Sequence, residues 1–178
     1  MPLGDLARLD GIERDLVAIA DATGTRPILV RTNYREVPIL GQPSWEQTHG
    51  SALAAVGHLL VDSVGTLLIS ATDHQSVERA WGSSWKLDPL WSSSNLAIVH
   101  QGAELRRYEK VVSLGESSLA RRYLRVCWQH LDSRPNCGRC EKCLRTQVML
   151  AQSGQLPGFA AFPQDSPLED RIDAALPQ

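Results

Sequence analysis

The sequence predicts an α/β domain: a parallel sheet flanked by helices, closed toward the C-terminus by a loop that holds every cysteine of the chain. Three observations carry this. Stretches with apolar residues at helical spacing alternate with short, continuously apolar runs, the rhythm of parallel strands joined by crossover helices. Polar residues gather directly after those runs, at Arg31–Asn33, Ala71–His74 and His100–Glu104, and ligands of such sheets bind at the carboxyl ends of strands. Cys127, Cys137, Cys140 and Cys143 then fall together in one stretch, CWQHLDSRPNCGRCEKCLR.

Taken in order, Leu6, Leu9, Ile12, Leu16 and Ile19 recur at helical spacing, with Arg8, Glu13, Arg14 and Asp15 on other faces. Gly24 suits the residue just past that helix. Pro27–Arg31 (PILVR) predicts a short buried strand, and Thr32–Ser44, with Asn33, two prolines and Gly41, a loop. A helix is expected over Trp45–Ser63 with Leu53, Val56, Leu59 and Leu60 as its apolar stripe. Thr66–Ala71 (TLLISA) and Asn95–His100 predict two further strands. Between them, Thr72–Ser94 is a long polar connection, and loops of that length inside a domain are more often functional than idle. Glu104–Leu114 predicts a helix. Arg122–Trp128 alternates, with Leu124, Val126 and Trp128 on one face, and predicts a strand that delivers Cys127. Lys142–Gln152 predicts a closing helix. The Pro-rich remainder is expected to run over the surface, with a turn or two of helix at Asp170–Leu176. The division expected is 1–126 for the α/β part, 127–154 for the cysteine loop and closing helix, and 155–178 for the tail.

The 178 residues suit one domain with a real core. At 43 % hydrophobic and 21 % charged, the chain is globular in composition and not disordered. A formal charge of −2 provides no bulk electrostatic footprint for nucleic acid, which disfavours a zinc-ribbon nucleic-acid binder. Acidic residues interrupt the apolar positions of Met1–Leu16, unlike an export signal, and no run approaches the about 20 apolar residues of a membrane span. The expected location is cytoplasmic.

Nine residues separate Cys127 from Cys137, and Cys140 and Cys143 follow at intervals of three. Thiolates so spaced can face one centre across a tight turn, and Gly138 suits a sharply bent backbone. Four converging thiolates are the ligand set of a closed, structural zinc site with no open position for chemistry. An iron–sulfur cluster also takes four cysteines, and spacing alone leaves it open. Two disulfides would need an oxidising compartment, and a dithiol redox pair would leave two cysteines unexplained. His130 offers an alternative ligand but is expected to stand beside the site.

Outside the loop, six residues are candidates for substrate binding: His49, Asp73, His74, Trp85, Asp88 and Glu104. His49 opens a helix whose N-terminal amides would receive an anion, unless Thr48 is a plain cap and His49 solvated. Asp73 and His74 pair a carboxylate with an imidazole at a strand end; the alternative is a turn. Trp85, with Trp81 and Trp91, offers flat faces for a purine-like ring or else pins a long loop. Asp88 would accept hydrogen bonds from a guanine-like edge or simply start a turn before Pro89. Glu104 either lies near a ligand or matches a helix dipole.

The cysteine pattern, a gap of nine and then CGRCEKCLR, resembles the zinc site of 7-cyano-7-deazaguanine synthases, adenylating enzymes of the HUP nucleotide-binding fold in the PP-loop ATPase group. AIVHQGAELRRYEKVVSLG resembles the strand and helix before that zinc loop, KLDPLW the place where a base-like substrate is recognised, and SWEQTHGSALAAVGHLL the helix whose N-terminus faces the nucleotide. The resemblance covers roughly Pro27 to Gly154 and implies a HUP-type sheet, a structural Zn2+ and ancestral ATP-dependent activation of a carboxylate. The loop SGGxDS that holds pyrophosphate in PP-loop enzymes has no counterpart in these residues, nor is there a Walker loop or GxGxxG. The resemblance therefore implies the C-terminal part of such a fold, with ATP bound only if a further segment completes it. A partner chain or second copy covering the open sheet edge is expected. The other reading is a non-catalytic zinc-containing module that holds a nucleotide-like molecule or a partner protein.

Overall fold

In a computed structural model of the chain, residues 6–34, 44–77, 79–130 and 132–175 are described. In chain order the elements are α1 (Leu6–Thr23), α2 (Trp45–Leu59), β1 (Thr66–Ser70), β2 (Ala97–Gln101), α3 (Arg107–Leu114), α4 (Ser118–Tyr123), α5 (Glu141–Gln152) and α6 (Leu168–Asp173). They belong to two compact units, one within Ile28–Arg107 and the other made of Gly4–Pro27 and Tyr108–Gln178. The fold is mixed helix and strand, and its described sheet is a parallel pair. No described helix is long and apolar enough to cross a membrane.

In the first unit β1 and β2 run parallel with Thr66 opposite Ala97 and Ser70 opposite Gln101. Backbone bonds extend the pairing past the strand ends, Ala71 N to Gln101 O at 2.8 Å and Gln75 N to Ala103 O at 2.7 Å. The polar residues after β1 are thereby held beside those after β2. Because side chains alternate along a strand, one sheet face carries Ile69 and Ile98, both buried, and packs with Leu96 and with Ala54 of α2. The other face carries Leu68, 61 % exposed, opposite Val99.

Helix α2 buries Gly50, Ala54 and Gly57, not the stripe of Leu53, Val56, Leu59 and Leu60 that hydrophobicity predicts; Leu59 is 81 % exposed. The reason is close backbone approach. A methyl group on Gly50 would collide with the Gly82 carbonyl, one on Gly57 would lie 2.8 Å from Leu67 Cδ2, and Gly82 N donates to Glu46 O at 2.7 Å. The helix seats its smallest residues where the neighbouring chain comes nearest, and its leucines turn outward.

Pro27–Arg31 is not a buried strand. It has no regular structure, Ile28, Leu29 and Val30 are exposed, and the described sheet consists of β1 and β2 alone. A short apolar run becomes a strand only where a neighbour accepts its backbone groups, and neither described strand does so. Of the loop expected over Thr32–Ser44, residues 35–43 lie outside the described residues, as does Leu176 of the last expected helix.

In the second unit α1 ends at Gly24, φ +65°, with Thr25 N donating to Ala20 O at 2.9 Å. Its Leu9 and Ala20 are buried, whereas Leu16 is exposed. Arg122–Trp128 is also not a strand. Ser117 caps α4, its hydroxyl accepting from Ala120 N at 3.2 Å, and the helix consumes residues through Tyr123 before the chain straightens. The core of this unit joins Val111, Leu150, Phe159 and Phe162 with three of the cysteines. The C-terminal residues therefore do more than run over the surface: Phe159 is 0 % exposed, and Arg171 of α6 is buried.

Candidate metal centre

The four cysteine sulfurs lie within 4.8 Å of one another. Cys127 Sγ is 3.9 Å from Cys140 Sγ, and Cys137 Sγ is 4.0 Å from Cys143 Sγ. A tetrahedron with metal–sulfur bonds of about 2.3 Å has edges of about 3.8 Å, so these separations fit four ligands of one ion and are far too long for disulfides. Cys137, Cys140 and Cys143 are buried and Cys127 half-buried. The cluster can hold a metal such as zinc.

The local sequence explains the convergence. Cys140 caps α5 and places Cys143 in its first turn. Gly138, at φ +72°, makes the bend between Cys137 and Cys140, and a Cβ there would meet Pro163 and Arg171. Backbone N–H groups point at sulfur: His130 N to Cys127 Sγ at 3.3 Å and Cys140 N to Cys137 Sγ at 3.4 Å. His130 itself adopts φ +51°, and its ring Nδ1 accepts from Arg8 at 2.8 Å, so it stands beside the cluster. The cationic residues of the loop are engaged: Arg139 pairs with Asp132, Arg145 with Glu141, and Lys142 lies 5.9 Å from the Trp128 ring.

Two braces that the sequence does not announce hold the loop. Asn136 is fully buried; its Oδ1 accepts from Val126 N and Cys127 N, and its Nδ2 donates to Leu124 O and Ala161 O. The side chain supplies what a neighbouring strand would, which is why the stretch delivering Cys127 is straight without being in a sheet. Gln147, also fully buried, donates to Gly138 O and Cys143 O and accepts from Arg171 Nη1 at 2.8 Å. Arg171 Nη1 also donates to Pro163 O. Each is an ordinary polar residue in sequence; the one available cue was Asn136 directly before Cys137.

Burial raises the Cys127 and Cys143 thiols above the ordinary value of 9.0. Burial acts the same way on Cys137, but N–H donors from Arg139 and Cys140 and bonds from neighbouring thiols outweigh it and bring it to about 7.

The other candidate residues lie in the first unit. His49 is half-buried in the first turns of α2, with its ring 5.5 Å from the Trp81 ring at a steep angle. Asp73 binds Arg79 Nε at 2.9 Å, and the Arg79 guanidinium lies 4.0 Å from the centre of the Trp81 ring. His74 Nδ1 accepts from Ser76 N at 3.1 Å. Trp85 is half-exposed, donating to Gln75 O. Glu104 is exposed in the turn after β2. Asp88 is fully buried; it accepts from Ser83 Oγ at 2.7 Å and Ser84 N at 3.3 Å and contacts His100 Nδ1 at 2.7 Å. The structure thus brings Asp73, His74 and Trp85 around one recess, with His100 and Ser83, and sets Asp88 behind it. His49 and Glu104 do not line that recess. His100 carries the signal of its place at a strand's carboxyl end, whereas Ser83, in a run of serines, carries none.

Comparisons with protein-family models, with curated proteins and with solved structures find no match to this chain.

Two outcomes follow from this geometry. Asn136→Ala removes four hydrogen bonds and orphans partly buried backbone groups, and should lower stability by about 3–4 kcal/mol in urea unfolding of the metal-loaded chain; a loss under about 1 kcal/mol would contradict the bracing role. Metal binds thiolates, so protons held by the raised Cys127 and Cys143 must leave on binding. Affinity should therefore rise with pH through the neutral range and drop more steeply below about 7, where Cys137 also protonates. Competition with a chelator at several pH values measures this, and a flat profile would contradict it.

Proposed function

We propose that the chain is a zinc-stapled α/β domain related to the ATP-dependent adenylating ligases of the 7-cyano-7-deazaguanine synthase type. The observation that carries this reading is the cluster of four sulfurs within 4.8 Å of one another, formed by the same spacing on which the resemblance rests. That spread suits the ligands of one ion better than thiolates divided among several irons, which favours Zn2+ over an iron–sulfur cluster. In the closed site zinc fixes the loop and supplies no chemistry. The parallel pair β1–β2, with polar residues brought together beyond its carboxyl ends, is what a HUP-type sheet would present to a ligand.

In this reading ATP activation requires an SGGxDS loop, which the 178 residues do not contain, from another segment or another chain. The bare sheet face at Leu68 and Val99 and the outward leucines of α2 favour such a completing element. The second reading, a non-catalytic module that holds a small ligand, draws on the recess at His74 and His100.

Metal analysis and an ATP titration on one purified sample separate these outcomes. The expected result is one zinc per chain with no ATP binding by the chain alone, and ATP binding that appears once an SGGxDS-bearing segment is supplied. A folded chain devoid of zinc, or ATP turnover by these residues unaided, would overturn the proposal.

A further inference from the structure

The strongest chemistry outside the cysteine cluster is a carboxylate buried without a cation of fixed charge. Asp88 is 0 % exposed, and its contacts are a hydroxyl, a backbone N–H and the Nδ1 of His100. A carboxylate so placed keeps the imidazole proton on Nδ1 and leaves the lone pair on Nε2, the arrangement by which an acidic group orients a working histidine. The His100 side chain is only 4 % exposed. Its Nε2 has no hydrogen-bond partner among the described residues, yet it is not sealed in. Instead His100 lines a recess of about 20 Å³, room for one water-sized group.

His74 lines the same recess. His74 Nδ1 accepts from Ser76 N, so the proton of its neutral ring sits on Nε2. The recess thus offers an acceptor in His100 and a donor in His74. It adjoins an open groove of about 390 Å³ lined by Val77, Arg79, Ser84, Trp85 and Lys86, wide enough for a ring and floored partly by the half-exposed Trp85.

We infer that His100, oriented by Asp88, is the hydrogen-bond-accepting anchor of a small-molecule site that takes an amide or lactam edge. The ligand's N–H enters the recess to donate to His100 Nε2, its neighbouring C=O accepts from His74 beside it, and its flat body lies in the groove against Trp85. Asp88 then acts as a positioning residue, with both oxygens occupied by the protein. This assignment stands on the recess itself and does not depend on zinc or on ATP chemistry.

Long-range 1H–15N NMR of the histidine-labelled chain in mildly alkaline buffer, with 2-pyridone as the probe, tests it. His100 should show a protonated Nδ1 and a free Nε2, and His74 the reverse. Adding 2-pyridone should move the Nε2 resonance of His100 in the direction of an accepted hydrogen bond while leaving His58 and His130 in place. In Asp88→Asn the amide N–H meets Nδ1 and drives the His100 proton to Nε2, so 2-pyridone should bind about tenfold more weakly. The inference is overturned if the native His100 carries its proton on Nε2, or if its signals do not respond to 2-pyridone up to the solubility limit. Because the native chain decides both points, a variant that misfolds does not shelter the assignment.

Discussion

Four sulfur atoms, three of them on buried cysteines, that must share one small volume are the constraint on which the second unit depends. Thiols have little reason to converge by packing alone: each is a small, weakly polar group that any apolar side chain would replace. A divalent ion changes the balance. Structural zinc in small domains contributes apparent binding free energies of about 10–16 kcal/mol, comparable to or larger than the about 5–15 kcal/mol by which whole domains are stable. The ion would thus contribute about as much as the whole net stability of such a unit. That explains how a loop from Cys127 to Cys143 with little regular structure sits in the core beside Phe159 and Leu150. The polar braces are second to it in energy but set its geometry: Asn136 straightens the approach to Cys127, and Gln147 with Arg171 fixes the carbonyl of Gly138 at the bend.

The first unit is organised by a different buried polar group. The connection from β1 to β2 is too long and too polar to be held by apolar contact, and Asp88 anchors it by gathering Ser83, Ser84 and His100 around one carboxylate. A buried carboxylate left without partners costs several kcal/mol, so the loop conformations that satisfy it are strongly selected. The same anchor turns His100 into a directed group at the carboxyl end of β2. Fold stability and ligand chemistry therefore meet in the same side chains there.

What could be read from the sequence follows what each pattern physically encodes. The cysteine spacing encodes convergence almost by itself, since i and i+3 positions about a Gly138 turn have few other ways to lie. The strands at Thr66–Ser70 and Ala97–Gln101 were legible because continuous apolar runs flanked by polar residues suit a buried parallel pair. The run at Pro27–Arg31 has the same composition, and composition cannot tell whether a pairing neighbour is present. The stripe of α2 was misread because hydrophobicity locates large residues, whereas the tight approach of Gly82 demands small ones. Asn136, Gln147 and Arg171 are not legible because hydrogen-bond partners distant in the chain leave no local mark; His100 is legible as a polar residue at a strand's carboxyl end, but its pairing with Asp88 is not. The prolines of the tail suggest a surface path, although Phe159 and Phe162 close the core.

X-ray absorption at the metal edge of the purified chain tests the central claim most directly, because it reads the number and kind of ligands around the ion without a crystal. The account predicts zinc surrounded by four sulfurs at about 2.3 Å, with no nitrogen or oxygen neighbour and no second metal. A coordination shell containing light atoms, a metal–metal distance of a cluster, or sulfur paired with sulfur in a metal-free chain would contradict it.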